Sequence, residues 1–252
     1  MLVISIEDLE REAVAGWRAT EVEPLGRWLL RAAEGFTGRA NSALGAGDPG
    51  LPLAEAAARV RSWYSARGLP AMVAVPYPAG RPDLSATDEA LAHLGWTVRA
   101  GAATVMTARA DAPGLAAGCA AVQIDQQPDP GWLARYHYRG QQLPPVALRL
   151  LTSAPWQAFA SVHDGGATVA IGRVAAAGAW AGLTAIEVDP RYRRQGLASA
   201  VSAALAAQAR RRGATRLYLQ VTDENAAARA LYRRLGFADH HGYHYRVAPS
   251  GD

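Results

Sequence analysis

The chain has 252 residues, enough for one large domain or two of ordinary size. Half of the residues are hydrophobic and the mean hydropathy is −0.05, values typical of a folded globular protein that exclude a disordered chain. All 26 basic residues are arginine against 22 acidic residues, so the net charge is +4 and catalysis through a lysine Schiff base is excluded.

Cysteine content and the first residues bear on the compartment. The single cysteine, Cys119, excludes an internal disulfide and favours the reducing cytoplasm. Residues 1–12 carry acidic side chains where a signal peptide has basic residues and an apolar run. Because no uncharged apolar stretch reaches about 20 residues, we expect a cytoplasmic protein that does not span a membrane.

The arginines are dense in two places, Arg191–Arg194 and Arg210–Arg212. Nucleic-acid binding is one interpretation, and it predicts an affinity that falls steeply with salt. We favour the other interpretation, a solvated helix surface. An anionic cofactor could still bind, because it needs far less positive charge than a polyanion does.

The first part of the chain alternates helical and strand patterns before residue 112. We predict helices at 9–19, 53–67 and 87–94, strands at 28–33, 71–75 and 97–107, and a glycine-rich loop at 35–50. The segment 111–130 has little periodicity and contains Pro113, Gly114, Gly118, Pro128 and Pro130. This composition is typical of a linker, and we place a domain boundary between residues 112 and 113.

The second part, residues 113–252, alternates in the same way. We predict strands at 121–124, 156–163, 168–174, 183–188, 216–221 and 243–247, and helices at 132–139, 146–151, 197–212 and 226–235. Consecutive glycines in Asp164-Gly165-Gly166 predict a tight hairpin turn, because such turns need positive φ angles. The alternation of strands and helices indicates the α/β class.

The two parts also share a weak internal repeat. Leu94-Gly95-Trp96 followed by Gly101 matches Leu235-Gly236-Phe237 followed by Gly242, and both stretches lie between a helix and a strand. We interpret the parts as two copies of one fold; the alternative is that unrelated α/β segments share this helix ending.

The strongest motif is a strand that ends at a proline and leads into a long alanine-rich helix. The strand ends at Val188–Pro190, and the helix begins after Gly196. Gly196 and the small Ala198 leave the N–H groups at the helix start accessible, where the helix dipole favours an anion. Arg193 and Arg194 can pair with phosphate oxygens or point to solvent. The sequence therefore predicts a diphosphate site.

A second motif follows at Leu219–Phe237, again a strand leading into a helix. Asn225 lies where a helix N-cap is expected. Tyr232 follows two helical turns later, on the same helix face, so both side chains can face one cleft. A packed core tyrosine is the structural alternative.

Together the two motifs resemble the GNAT acetyltransferases: Arg193-x-x-Gly196-x-Ala198 is similar to the signature that holds the CoA pyrophosphate in that family. The resemblance covers the last 130 residues or so directly and reaches the first 110 only through the internal repeat. Together they imply two tandem GNAT-like domains, each a mixed, mostly antiparallel sheet flanked by helices. The resemblance implies acetyl transfer from acetyl-CoA to a primary amine of a small molecule or peptide. The residues it assigns to the cofactor are Ile186, Val188, Arg193, Arg194, Gln195, Gly196, Leu197, Ala198 and Asn225.

The resemblance also implies catalytic roles. The N–H of Val188 would hold the oxyanion, and Tyr232 would donate a proton to the departing CoA sulfur. The family often carries a base four or six residues before this valine, but Thr184 and Gly182 stand there and neither can serve. Glu187 is the nearest carboxylate, although strand alternation places it opposite Ile186 and Val188 unless a bulge intervenes.

Other proton acceptors remain open at this stage: Asp223, Glu224, His137 and a water relay. His240 and His244 lie on one strand face and could pair on a metal, but no cysteine or carboxylate cluster is near, so we expect no metal.

The first part departs from the family pattern. Gly47–Pro52 places an acid and two prolines where phosphate would bind, and Ala90 or Leu91 replaces the tyrosine, so we expect this copy to be degenerate. The loop Gly35–Ser42 could line a substrate pocket or be a plain surface loop. A non-catalytic CoA-sensing or partner-binding module is the alternative function.

Overall fold

The computed structural model describes residues 4–116, 121–137 and 143–249. Its helices are α1 (Ile6–Gly16), α2 (Leu53–Ser65), α3 (Ala86–His93), α4 (Pro130–Arg135), α5 (Pro145–Leu151), α6 (Leu197–Arg211) and α7 (Ala226–Arg234). Its strands are β1 (Glu21–Leu25), β2 (Trp28–Ala32), β3 (Ala43–Leu44), β4 (Met72–Pro78), β5 (Thr97–Arg109), β6 (Gln123–Asp125), β7 (Trp156–Asp164), β8 (Ala167–Ala177), β9 (Trp180–Val188), β10 (Arg216–Thr222) and β11 (Ala238–Val247). None of the helices in these ranges has the length and apolar character that a bilayer crossing requires.

The chain forms two compact units. The first contains the chain up to Val105, residues 222–224 and the chain from Asp239 onward, and the second contains Met106–Val221 and Asn225–Ala238. The C-terminal strand is therefore grouped with the first unit. The domain boundary at residues 112/113 stays a prediction.

In the first unit the strand order is β1-β2-β3-β4-β11-β5. β1 and β2 form an antiparallel hairpin, β3 and β4 are parallel, and β4 and β11 are antiparallel. The core of this unit contains large apolar side chains from β2, β4, α2 and α3, among them Trp28, Leu30, Val60, Tyr64, Val73, Val75 and Leu91. The sequence did not predict β1, because its mostly exposed residues and Pro24 are typical of an edge strand and lack a hydrophobic signal.

In the second unit the strand order is β5-β10-β9-β8-β7-β6. The ladder from β6 to β9 is antiparallel, whereas β9 and β10 are parallel. The predicted hairpin is confirmed: Gly165 and Gly166 have φ angles of 55° and 81° between β7 and β8. α6 packs directly on β8, since a Cβ at Gly172 would lie 2.5 Å from Val201. The α/β class with a mixed sheet flanked by helices is confirmed, and the tandem arrangement stays a prediction.

Several element boundaries differ from the sequence prediction; α1, for example, spans Ile6–Gly16 and not residues 9–19. β11 begins at Ala238 and not at Tyr243, because its polar first half pairs with the end of β4, with Gly242 opposite Tyr77. The close approach explains the glycine: a Cβ at Gly242 would lie 2.2 Å from the Tyr77 ring. α4 ends at Arg135; the predicted helix end at Arg139 lies outside the described residues, as does Cys119.

The C-terminal histidines belong to a buried polar cluster of the first unit. His241 is fully buried, and its Nε2 lies 2.8 Å from Glu10 Oε1. Its Nδ1 lies 2.8 Å from Nδ1 of His240, whose Nε2 lies 3.1 Å from the carbonyl oxygen of Ile4. His244 pairs with Asp88. These histidines therefore have protein partners, and no group of three His, Cys, Asp or Glu side chains in the described ranges is arranged to hold a metal.

The pairing of Glu10 with His241 predicts a large effect on stability. We expect His241→Leu to lower the free energy of unfolding by about 3 kcal/mol, because it leaves the Glu10 carboxylate buried without its partner. Urea denaturation would measure this. The control is the double variant Glu10→Leu/His241→Leu, which should lose less than the sum of the two single variants. Additive losses would contradict an energetic coupling between the two side chains.

Candidate active site

The predicted phosphate loop lies in the second unit, between β9 and α6. After a short 3-10 turn at Pro190–Tyr192, the backbone enters the left-handed region at Arg194, with a φ of 61°, and again at Gly196, with a φ of 81°. α6 begins at Leu197, as predicted, and no side chain caps it. The N–H groups of its first turn are therefore open to an anion, as the sequence motif requires.

A buried carboxylate anchors the start of this loop. Asp189 accepts hydrogen bonds from the backbone N–H of Arg191 at 3.0 Å and from its guanidinium at 3.1 Å, and it pairs with Arg135 of α4 at 2.9 Å. The Arg191 side chain, with this backbone bond and Arg135, holds the pKa of Asp189 well below its usual range. This anchor was not predicted from the sequence, because Arg135 is distant in sequence from Asp189 and no local pattern marks the pair.

The ion pairs of Asp189 determine which arginines remain available to bind an anion at the loop. Arg191 is committed to Asp189, whereas Arg193 and Arg194 are exposed at the loop surface. Arg193 donates from Nε to the carbonyl oxygen of Val188 at 3.4 Å. No ion pair within the described residues engages Arg194. Both side chains can therefore add positive charge beside the open start of α6.

A gap opens between β9 and β10 next to the loop. The two strands are paired in parallel from Trp180 and Arg216 to Leu183 and Leu219. Beyond Leu183 the described strands continue without pairing to each other. The β9 backbone beyond Leu183 therefore has no ladder partner on β10, and a ligand can bind along this edge.

The N–H of Val188 points into this gap. Val188 lies opposite Ala170 of β8, and the N–H of Asp189 donates to the carbonyl oxygen of Val169 at 2.9 Å. In an antiparallel ladder this bond makes Val188 and Ala170 a non-hydrogen-bonded pair, so the N–H of Val188 points away from β8. The direction agrees with the oxyanion role that the resemblance assigns to Val188.

A β-bulge in β9 sets the direction of its side chains. Residue 171 pairs with 187 and residue 173 with 184, so Ala185 and Ile186 together oppose Gly172, and Ala185 has a φ of 53°. Ile186 and Val188 pack against the cluster that includes α6. Thr184 lies 3.4 Å from Arg173 on the other face.

Glu187 lies on the same face as Thr184, although the two residues are three apart. Both carboxylate oxygens of Glu187 accept from the backbone N–H of His137, which follows α4, at 3.2 Å and 3.3 Å. His137 Nδ1 lies 3.8 Å from Glu187 Oε2. Regular alternation would separate Thr184 from Glu187, and the bulge brings them together. The carboxylate therefore reaches the face on which the family carries its base.

Burial raises the pKa of Glu187, and hydrogen bonds and charge from His137 and Arg135 oppose this increase. A carboxyl group with a raised pKa binds a proton more readily than an exposed one does. The environment therefore makes Glu187 a stronger proton acceptor than an exposed glutamate.

α7 carries the remaining predicted site residues. Asn225 is confirmed as the N-cap, since its Oδ1 accepts from the N–H of Ala228 at 3.0 Å. Tyr232 is 9 % exposed and packs edge-to-face on Phe237 with ring centroids 5.8 Å apart. Burial raises the pKa of Tyr232 to about 12, so its phenol keeps its proton at neutral pH.

One apolar cluster links the two motifs. Tyr232 and Leu219 belong to it, and Ile186, Val188 and Leu197 pack against it. The strand, the helix start and the tyrosine predicted from separate motifs are thus brought to one region of the second unit.

The rival proton acceptors differ in their surroundings. Asp223 belongs to the first unit and accepts from the Thr104 hydroxyl at 2.6 Å. Glu224 is exposed. Among the carboxylates of the described residues, Glu187 is the one that lies on β9 and is also partly buried.

Comparison with known proteins gives a consistent result. The family model described as "Probable histone acetyltransferase Rv0428c C-terminal" matches residues 4–246. The Mycobacterium tuberculosis protein named "Probable histone acetyltransferase Rv0428c" is 31 % identical over 258 residues, which cover 98 % of this chain and 75 % of that protein. The Bacillus subtilis protein named "Uncharacterized N-acetyltransferase YobR" is 27 % identical over 263 residues, 96 % of this chain and 98 % of that protein.

A solved structure supports the fold over the same length. A GCN5-related N-acetyltransferase from Kribbella flavida superposes with a TM-score of 0.70 and 17 % sequence identity, covering 99 % of this chain and 98 % of that chain. At this identity the likeness concerns the fold alone.

Proposed function

Because the chain belongs to the GNAT family of N-acetyltransferases, we propose that its second unit transfers an acetyl group from acetyl-CoA to a primary amine. The observation that carries the proposal is the gap between β9 and β10, which opens beside the uncapped start of α6. The pyrophosphate of acetyl-CoA can bind at the helix start while the thioester end of the same molecule enters the gap between the strands.

The residues present fit acetyl-CoA. The open N–H groups of α6 and the exposed Arg193 and Arg194 suit the pyrophosphate, and the left-handed Gly196 lets the backbone approach it closely. The Asn225 oxygen caps α7, and its amide group would contact the pantetheine arm. The proposed cofactor contacts are Ile186, Val188, Arg193, Arg194, Gln195, Gly196, Leu197, Ala198 and Asn225.

Acetyl-CoA supplies a thioester carbonyl that an amine can attack directly. The N–H of Val188 donates a hydrogen bond to the oxygen on which negative charge develops. An alkyl amine with a pKa of about 10 is neutral in roughly one molecule per thousand at pH 7, so the attack needs a proton acceptor. Glu187 takes that proton, since its pKa is raised by burial and it lies on the face of Thr184.

Tyr232 holds the proton that the departing thiolate takes up. With a pKa of about 12 its phenol stays protonated over the working range. Because a thiol has a pKa of about 8.5, the thiolate is already a fair leaving group, and the tyrosine contributes moderately. The acceptor is an amine of a small molecule or a peptide.

We also propose that the first unit is a GNAT-like copy without a cofactor. Both units place a helix between two parallel strands: α2 between β3 and β4, and α6 between β9 and β10. In the first unit the loop before α2 is filled, because a Cβ at Gly47 would lie 2.8 Å from both carboxylate oxygens of Glu7. The Glu7 carboxylate, which is paired with Arg11 and Arg27, occupies this position and excludes phosphate by volume.

Cofactor binding is tested first by Gly196→Glu. We expect calorimetry with acetyl-CoA to give one site per chain, and the variant to weaken binding by about 100-fold or more through charge repulsion at the helix start. The matched control is Gly95→Glu, with a similar φ of 79° and open space around its Cβ in the first unit. Absence of binding by the parent chain would refute the enzyme proposal, and two sites would refute the degenerate first copy.

The proton acceptor is tested by Glu187→Gln. The active form of Glu187 is deprotonated, so kcat should rise with pH through a midpoint above the usual glutamate pKa of about 4.3. We expect the variant to lose this acid limb and about 100-fold or more in kcat. Asp223→Asn and Glu224→Gln are the comparison variants. If either comparison variant removes the acid limb of the pH profile while Glu187→Gln retains it, the proton acceptor is Asp223 or Glu224 and not Glu187.

The proton donor is tested by Tyr232→Phe. We expect kcat to fall by about 100-fold or less, with the Kd of acetyl-CoA nearly unchanged, because the ring packing is retained. Tyr64→Phe in the first unit is the matched control, since burial also raises the pKa of Tyr64 to about 12. Unchanged turnover in Tyr232→Phe would exclude the tyrosine as a proton donor, and acetyl-CoA binding without turnover in the parent across an amine panel would favour the non-catalytic module.

A further inference from the structure

The segment after α4 lies beside the end of β9, in the second unit. Arg135, the last residue of α4, pairs through Nη2 with Oδ2 of Asp189 at 2.9 Å. Two residues later, the backbone N–H of His137 donates to both carboxylate oxygens of Glu187 at 3.2 Å and 3.3 Å. The two residues that flank Val188 in the chain are therefore both held from α4 and the segment after it.

α4 is itself attached to β8 at two points. The indole Nε1 of Trp132 donates to the carbonyl oxygen of Gly172 at 3.2 Å, and Gly172 is the residue opposite the bulge of β9. Nε of Arg135 donates to the carbonyl oxygen of Thr168 at 3.1 Å. These two points of β8 flank the residues that pair with residues 187–188. α4 therefore holds the irregular end of β9 both directly and through the neighbouring strand.

Packing explains only part of this arrangement. Trp132 is 1 % exposed and packs edge-to-face on Phe159, with ring centroids 5.1 Å apart, so its ring has an ordinary role in the core. The side chain of Arg135 is 24 % exposed and could extend into solvent, and Asp189 already has Arg191 of its own loop as a partner. A second guanidinium is not needed to neutralise this carboxylate; it connects α4 to the point at which β9 ends.

The charge of Arg135 also acts on Glu187. Burial raises the pKa of Glu187, whereas the hydrogen bond from His137 and the charges of His137 and Arg135 lower it. The neighbouring strands add Arg173 of β8 and Tyr218 of β10 on the same face. Removal of Arg135 therefore has a defined electrostatic consequence, because the Glu187 carboxylate loses a nearby positive charge and its pKa rises.

We propose that Arg135 is a positioning residue of the acetyl transfer, which holds the N–H of Val188 and the carboxylate of Glu187 in place. Both groups lie beyond Leu183, where β9 has no ladder partner on β10, so regular pairing fixes this part of the strand on one edge only. The contacts made by Arg135 and Trp132 supply a further constraint. This role rests on the proposed function, since it belongs to the same reaction.

The test compares Arg135→Gln with Arg135→Lys in the full chain, with kcat followed as a function of pH and the Kd of acetyl-CoA measured by calorimetry. We expect Arg135→Gln to lower kcat by about tenfold or more while the Kd changes by about threefold or less. Loss of the charge should also move the acid limb of the kcat profile to higher pH, because Glu187 then binds its proton more tightly. Arg135→Lys keeps the charge but not both hydrogen bonds, so it should restore the position of the limb and only part of kcat.

Two further variants are the controls. Trp132→Phe removes the N–H bond to Gly172 but no charge, so it should lower kcat and leave the acid limb in place. Arg81→Gln removes an exposed arginine that forms a fork with Asp83 in the first unit, and it should change neither quantity.

The outcomes separate this role from the proposed function. A parent chain that acetylates no amine refutes both, whereas an active parent whose Arg135→Gln variant has the same kcat and the same acid limb refutes the positioning role alone. A lower kcat with an unmoved limb and no recovery in Arg135→Lys also overturns it, since a merely structural role predicts that result. Retained acetyl-CoA binding shows that a variant is folded. If Arg135→Gln does not bind acetyl-CoA, Arg135→Lys decides, and a kcat equal to that of the parent overturns the role.

Discussion

The site depends on the unequal pairing of β9 with its two neighbours. β9 pairs with β8 through to Val188, but with β10 only as far as Leu183. The carboxyl half of the strand therefore has no ladder partner on its β10 edge, while its other edge is paired with β8. Since buried backbone polar groups need partners, this half-paired strand is where the fold can accept an extended ligand.

The bulge and the carboxylate anchor convert this edge into a site. The bulge at Ala185 and Ile186 places Glu187 on the face of Thr184 while Ile186 and Val188 stay against the apolar cluster. Asp189, held by Arg135 and its own loop, then fixes where the chain leaves the strand. The same short stretch thus provides a hydrogen-bond donor to the gap, the proposed proton acceptor and the approach to the helix start.

Local signals in the sequence predicted much of this. The start of α6 after Gly196 and the Asn225 cap of α7 were predictable because glycine conformation and side-chain capping involve only neighbouring residues. The bulge was not predictable, since it is a mismatch of register with β8 and depends on pairing across the sheet. The link from Arg135 to Asp189 was missed for the same reason. Edge strand β1 was missed because its mostly exposed residues and Pro24 give no hydrophobic signal of a core-facing strand.

The pairing of β4 with β11 also constrains how the chain is made. The first unit includes α1 near the amino end and β11 near the carboxyl end, joined by Glu10 and His241. During synthesis the ribosome must release residues 239–247 before this unit can complete its sheet. The second unit, encoded in between, has nearly all of its strands earlier. Translation therefore favours an order in which the proposed catalytic unit matures first and the amino-terminal unit closes last.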